Sequence, residues 1–242
     1  MTLVRRSSEH GITTLTLDSP HNRNALSARL VSELVEGLVQ AGEDAGVRAV
    51  LLAHTGNTFC SGADLTEAGA DGPQALVRLM RAVIELPKPV VARVNGHARA
   101  GGLGLLGACD ISVAGEGATF AFTEARLGLA PAVISLPLLP RLDARAAARY
   151  YLTGERFGAA EAVRIGLVTA GEDELGAVLD GLRRGSPQGL AASKALATAD
   201  VRRAFERDAE ALTALSARLF ASSEAREGMT AFLERREPVW AR

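Results

Sequence analysis

The sequence is poor in the residues that staple small folds and build metal or redox centres. It holds two cysteines, Cys60 and Cys109, in 242 residues, and aromatic side chains make up only 4%. The cysteines lie far apart and show no C-x-x-C or Cys/His ligand spacing, so two reduced, buried thiols are expected rather than a disulfide framework. The four histidines, His10, His21, His54 and His97, are scattered without the spacing of a metal site, and no metal is expected. No apolar run approaches the roughly 20 residues that a membrane span needs. The start, MTLVRRSSEHG, lacks the apolar stretch of a signal peptide, so a cytoplasmic protein with no membrane partner is expected. Charge of neither sign dominates: 27 Lys and Arg stand against 28 Asp and Glu, which argues against any broad nucleic-acid-binding surface. There is no G-x-S-x-G, so a nucleophile elbow is unsupported.

What is present is a globular chain, 48% hydrophobic and 23% charged, long enough to bury a large core without staples. ITTLTL at Ile12–Leu17 alternates as a strand does. Ser27 can cap a helix over 28–41, where Leu30, Leu34, Leu38 and Ala41 recur at helical spacing. AVLLAH at Ala49–His54 is a continuous apolar run, as in a strand covered on both faces. A helix over 73–86 is stopped by Pro87 and Pro89, and strands are expected at 89–95 and 110–114 around a small-residue helix at 103–108. Strand and helix thus alternate to about residue 120, the signature of an α/β architecture. From Asp143 onward the pattern is helical, and Ser222 and Ser223 can cap a last helix with Glu224 and Glu227 in its first turn.

The most unusual stretch is NGHARAGGLGLLGACD at 95–110. It contains Gly102-x-Gly104-x-x-Gly107, a literal G-x-G-x-x-G, but residues 96–101 separate it from the preceding strand, whereas a dinucleotide turn follows its strand directly. Close helix packing accounts for Gly104, Gly107 and Ala108. It does not account for Gly101 and Gly102, where a bare backbone lets a ligand approach N–H groups at a helix start. A second loop, Ser61-Gly62-Ala63-Asp64-Leu65, follows the strand at 49–54. Two such loops converging on one oxygen form an oxyanion hole, in which a single donor contributes about 3–4 kcal/mol. Glu124, in FAFTEARLGLAP, reads either as a structural carboxylate paired with Arg126 or a helix terminus, or as a carboxyl in an apolar pocket whose raised pKa suits proton transfer.

Taken together these segments resemble the enoyl-CoA hydratase (crotonase) family along nearly the whole chain. SPHNRNALS resembles its first CoA-contacting loop, FCSGADL its first oxyanion loop, and KPVVARVNGHARAGGLGLLGACDISVA the segment with the second oxyanion amide. FAFTEARLGLAPAVIS resembles the catalytic-glutamate segment, and LTGERFGAAEAVRIGLV and SSEAREGMTAFLERREP the C-terminal helices. The resemblance implies an α/β crotonase (ClpP-like) fold of repeated ββα units, with a core domain over 1–190 and a C-terminal helical oligomerisation region over 191–242. It implies that Ala63 and Gly101 bind the thioester oxygen through their N–H groups, and that Arg23, Asp64, Leu65, Thr66 and Arg235 contact CoA, Arg235 from a neighbouring subunit. It implies that Glu124 is a catalytic glutamate, that the protein is a homotrimer or hexamer, and that no cofactor is needed beyond the coenzyme A of the acyl-CoA substrate.

One departure bears on the chemistry. The second hydratase glutamate falls at Gly104, which has no side chain to hold water. AGGLGLLGACDI with TEARLGLAPAVIS is most similar to the branch that includes the methylglutaconyl-CoA hydratases, so Arg99 or Arg126 can be read as a partner for a second substrate carboxylate, or as a plain structural cation. Hydration of an enoyl-CoA is the expected activity. Double-bond isomerisation, decarboxylation and acyl-CoA binding without catalysis are the alternatives, since one oxyanion hole serves any enolate chemistry.

Overall fold

A computed structural model of the chain describes residues 2–64, 67 and 72–241. Strands β1 (Val4–Glu9) and β2 (Ile12–Leu17) pair antiparallel around a two-residue turn. His10 and Gly11 both have positive φ there, 47° and 78°, the turn that matches the twist of flanking strands. Helix α1 (Ala28–Glu43) follows, with Ser27 Oγ accepting from Leu30 N, and it buries Leu30, Leu34, Leu38 and Ala41. Two further β-β-α turns come next: β3 (Ala49–His54), β4 (Thr58–Cys60) and α2 (Gly72–Glu85), then β5 (Val90–Val94), β6 (His97–Arg99) and α3 (Gly101–Ala108). Strands β7 (Ile111–Ala114) and β8 (Thr119–Ala121) begin another turn.

Each turn from β3 onward gives one strand to each of two sheets. The larger has the order β1-β2-β3-β5-β7-β10, parallel from β2 on, and the smaller has the order β4-β6-β8-β9. This explains the apolar runs: β3 and β5 lie inside a parallel sheet covered on both sides. One large core contains Leu15, Leu34, Leu52, Phe59, Met80, Leu103, Phe120 and Phe122. A smaller cluster of Ile12, Ala49, Leu51 and Val91 lies on the opposite face under Leu175, Val178, Leu179 and Leu182.

The later part of the chain runs through α4 (Ser135–Leu138), α5 (Ala144–Thr153), β9 (Phe157–Gly158), α6 (Ala159–Arg164) and β10 (Ala170–Gly171). Four helices follow: α7 (Leu175–Arg184), α8 (Pro187–Ala197), α9 (Ala199–Phe220) and α10 (Ser223–Glu234). The helical reading of this region therefore misses β9 and β10. Each has two residues, too few for alternation to register, yet each closes the edge of a sheet. Helix α8 runs unbroken across residue 190. It is tied to the core by Lys194, whose Nζ lies 2.8 Å from Asp110 Oδ2 and also donates to Val83 O and Lys88 O. Asp110 Oδ2 in turn accepts from Val90 N at 2.7 Å.

Candidate active site

The first wall of the site is set by Asn24, a buried residue in the left-handed region, φ 52°. Its Nδ2 donates to Thr55 O and Thr58 O, and its Oδ1 accepts from Ser19 N at 2.7 Å. That pins the 19–24 loop against the β3–β4 connection. Arg23 O then accepts from Ser61 N at 3.1 Å, and Leu26 N donates to Gly62 O at 2.8 Å. Leu26 and Ala63 form an isolated parallel bridge. In such a bridge the bonds from Leu26 go to the neighbours of Ala63, so the N–H of Ala63 itself points the other way.

It points towards the start of α3. A Cβ built on Gly62, whose φ is 97°, would stand 3.2 Å from Gly101 N, and one built on Gly101 would stand 3.5 Å from Ala63 N. Two chain segments predicted from sequence to converge are thus in contact. Ala100, between β6 and α3, has φ 46° and ψ −122°, a conformation an L side chain rarely adopts. Strain of this kind costs on the order of 1–3 kcal/mol, and here it sets the turn from which the Gly101 amide emerges. Gly101 is the first residue of α3 rather than part of the preceding loop, so its N–H is one of the four that no helical carbonyl can reach. Among the described residues neither amide has an acceptor in the chain.

Glu124 opens a 3-10 turn, Glu124–Leu127, just beyond β8, which pairs with β6 so that Arg99 faces Ala121. The carboxyl is buried, Oε2 has no hydrogen-bond partner, and Arg126 does not reach it. Desolvation raises its pKa from 4.5 to about 7, offset in part by its own backbone N–H. Phe122 and Tyr151 lie nearby, with ring centroids 4.7 Å apart, and the Tyr151 hydroxyl stands 3.3 Å from Ser135 Oγ. The turn is gripped from two sides. A Cβ on Gly228 would lie 2.5 Å from Leu127 C, and one on Gly128 would lie 2.6 Å from Glu224 C, so α10 and the turn touch backbone to backbone. On the other side Arg126 Nε donates to Thr153 O at 2.9 Å across Gly154.

Gly104 faces Ile134 and Met80. A Cβ there would meet Ile134 Cγ2 at 2.5 Å and Met80 Sδ at 3.0 Å, so the space that a side chain at this position would need is filled with hydrocarbon and sulfur. Asp64 Oδ2 accepts from Asn22 Nδ2 at 3.4 Å, while Leu65 and Thr66 lie outside the described residues. Arg23 and Arg235 are exposed, both with positive φ, Arg235 capping the end of α10. Arg99 donates to Ala98 O and to Thr119, and no described contact joins Arg99 or Arg126 to Ala63, Gly101 or Glu124. His54 packs edge-on against Phe59 and accepts from Asn95 N. Among the described residues no group of three or more His, Cys, Asp or Glu could hold a metal. Sequence reasoning missed Asn24, Ile134, Met80 and Tyr151. Only Asn24 carries a local signal, as an Asn in a turn.

The family model for enoyl-CoA hydratase/isomerase matches residues 7–242. The crystal structure of an enoyl-CoA hydratase from Mycobacterium avium is similar at a TM-score of 0.94, with 56% identity over 99% of each chain. Enoyl-CoA hydratase domain-containing protein 3 of Danio rerio is 32% identical over 99% of this chain and 88% of that protein. The mevalonyl-coenzyme A hydratase of Aspergillus fumigatus is 32% identical over 93% of this chain and 90% of that protein.

Proposed function

The chain belongs to the enoyl-CoA hydratase/isomerase family and is an enzyme of the enoyl-CoA hydratase type; we propose that it adds water to an α,β-unsaturated acyl-CoA with Glu124 as its one acid–base carboxyl. In this reading the N–H groups of Ala63 and Gly101 donate to the thioester oxygen. As the oxygen of water bonds to the β-carbon, electron density moves through the α-carbon to the thioester oxygen, where the two fixed donors stabilise it. Ionised Glu124 takes the proton from water and delivers it to the α-carbon, so the carboxyl ends as it began. A pKa near 7 suits it to both duties at neutral pH.

The observation that carries the reading is the unpartnered Oε2 of Glu124, buried without any counter-charge. A structural carboxylate in that place would leave a desolvated charge for no return. Arg23, Asp64, Leu65 and Thr66 belong in this reading to the CoA path, with Arg235 supplied by a neighbouring copy in a trimer or hexamer built on the helices beyond residue 190. No cofactor is required besides the CoA of the substrate. A cytoplasmic site fits, and no described helix is long and apolar enough to cross a membrane. The test is Glu124→Gln assayed by loss of the conjugated thioester absorbance; hydration at the parent rate would refute the role of Glu124.

The apolar filling at Gly104 favours a second reading, double-bond isomerisation. A 1,3-proton shift needs one carboxyl and no held water. Faster turnover of a 3-enoyl-CoA than of its 2-enoyl isomer would select it.

A further inference from the structure

The outer face of the small sheet carries two guanidinium groups, an imidazole and, among the described residues, no acid. Ala98, Phe120 and Phe157 face the core from β6, β8 and β9. By strand alternation His97, Arg99, Thr119 and Gly158 face the other way, where they are only partly covered or exposed. Arg156 precedes β9 by one residue. Continuing the antiparallel pairing of Phe120 with Phe157 sets it opposite Ala121, whose other neighbour is Arg99. The two arginines thus flank an alanine too small to separate them. Burial lowers the pKa of His97, Arg99 and Arg156 lower it further, and no described carboxylate shifts His97 or Arg99. Glu155, next in sequence to Arg156, is held by Arg149.

The hydrogen bonds have a direction. Arg99 Nη1 donates to Ala98 O and Thr119 O, and Nη2 donates to Thr119 Oγ1 at 2.7 Å. Thr119 Oγ1 lies 2.9 Å from His97 Nδ1. Since the guanidinium can only donate, the hydroxyl hydrogen is available to Nδ1, which leaves the ring proton on Nε2. Arg99 Nε and the second Nη2 hydrogen, His97 Nε2 and the whole Arg156 guanidinium then remain as donors without acceptors among the described residues. Three adjacent strands span about 10 Å, the footprint of one small anion rather than of a polyanion.

We propose that His97, Arg99 and Arg156 form a binding site for a small oxyanion, of the phosphate type, on the outer face of the small sheet, separate from the acyl-CoA site. The donors come from β6 and from the residue before β9, on either side of β8, which suits a tetrahedral group with several oxygens. Charge-assisted bonds to a pre-oriented guanidinium supply the selectivity for an anion.

Inorganic phosphate titrated calorimetrically into the protein saturated with butyryl-CoA, which cannot be hydrated, tests this. The expected result is one phosphate per chain, weakened at least tenfold in Arg156→Met and in Arg99→Met. Arg156 is exposed and its side chain has no described partner, so Arg156→Met decides alone if Arg99→Met fails to fold. Absence of binding, binding that disappears when butyryl-CoA is added, or equal binding by Arg156→Met overturns the proposal. So does a lower sedimenting mass for Arg156→Met without phosphate binding by the parent, because the face then meets an acid of a second copy.

Discussion

Ile134 holds the space that any side chain on Gly104 would need, its Cγ2 only 2.5 Å from the built Cβ position. The absence of a side chain at Gly104 therefore leaves no empty place. Gly104→Ala is expected to destabilise by about 1–3 kcal/mol through overpacking. Ile134→Ala in the same chain should return part of that loss, giving a coupling of about 0.5–3 kcal/mol in a double-mutant cycle. Urea unfolding of the four proteins measures it. Gly104→Glu should not raise the hydration rate, because the new side chain enters occupied volume.

Glu124 should govern the pH profile. Ionised carboxyl is required to take a proton from water, so kcat is expected to fall as pH drops through about 7 and to level off above it. Glu124→Gln should lower kcat by roughly 10²–10⁴-fold and remove that inflection, with KM little changed.

The same carboxyl leaves a mark on stability. Its folded pKa, about 7, lies above the ordinary 4.5, so between those values the folded chain binds more protons than the unfolded one. Stability contributed by this group is complete below pH 4.5 and is lost as pH rises through 7. The thermal midpoint of the parent should therefore fall more steeply from pH 5 to pH 8 than that of Glu124→Gln. Parallel curves for the two proteins would refute the raised pKa.

Backbone strain beside the two amides gives opposite expectations for two small changes. Ala100→Gly should stabilise the fold by about 1 kcal/mol or more, since glycine adopts φ 46° and ψ −122° freely. Gly62→Ala forces a Cβ into a left-handed residue at 3.2 Å from Gly101 N. It should lower both stability and kcat, with a loss of up to ~10²–10³-fold if one donor is displaced. Denaturant midpoints and initial rates measured side by side check both.

Lys194 and Asp110 form a buried pair, the ammonium almost wholly covered. Removing one partner leaves a desolvated charge, so Lys194→Met is expected to cost about 3–5 kcal/mol. The double variant Asp110→Asn with Lys194→Met should be less destabilised than the sum of the two single changes, as read from urea midpoints.

Local rules reached much of this molecule. Ser27 and Ser222 cap the helices that their positions suggested, and the apolar runs at 49–54 and 89–95 contain β3 and β5. Strand β1 was hidden because five of its six residues, Arg5 to Glu9, are exposed and polar, so it has no apolar alternation to read. The segments proposed to bind the thioester oxygen were legible through their glycines, which mark places where backbone must come close to something. Their contact was inferred only through the family resemblance. Ile134 against Gly104, and Lys194 beneath Asp110, join positions far apart in the chain, and no local periodicity encodes such a meeting. The reach of Arg99 to Thr119 was equally invisible, since a side chain's direction depends on which face of its strand is covered.

The backbone contact of Gly228 with Leu127 has a temporal side. Residues 124–128 leave the ribosome well before Gly228, the residue of α10 that presses on them. A nascent chain can join both sheets and bring the two amides together well before its carboxyl is seated. On the proposed role of Glu124, competence to move a proton arrives only with α10, and chains broken off upstream of that helix are expected to hold acyl thioesters without turning them over.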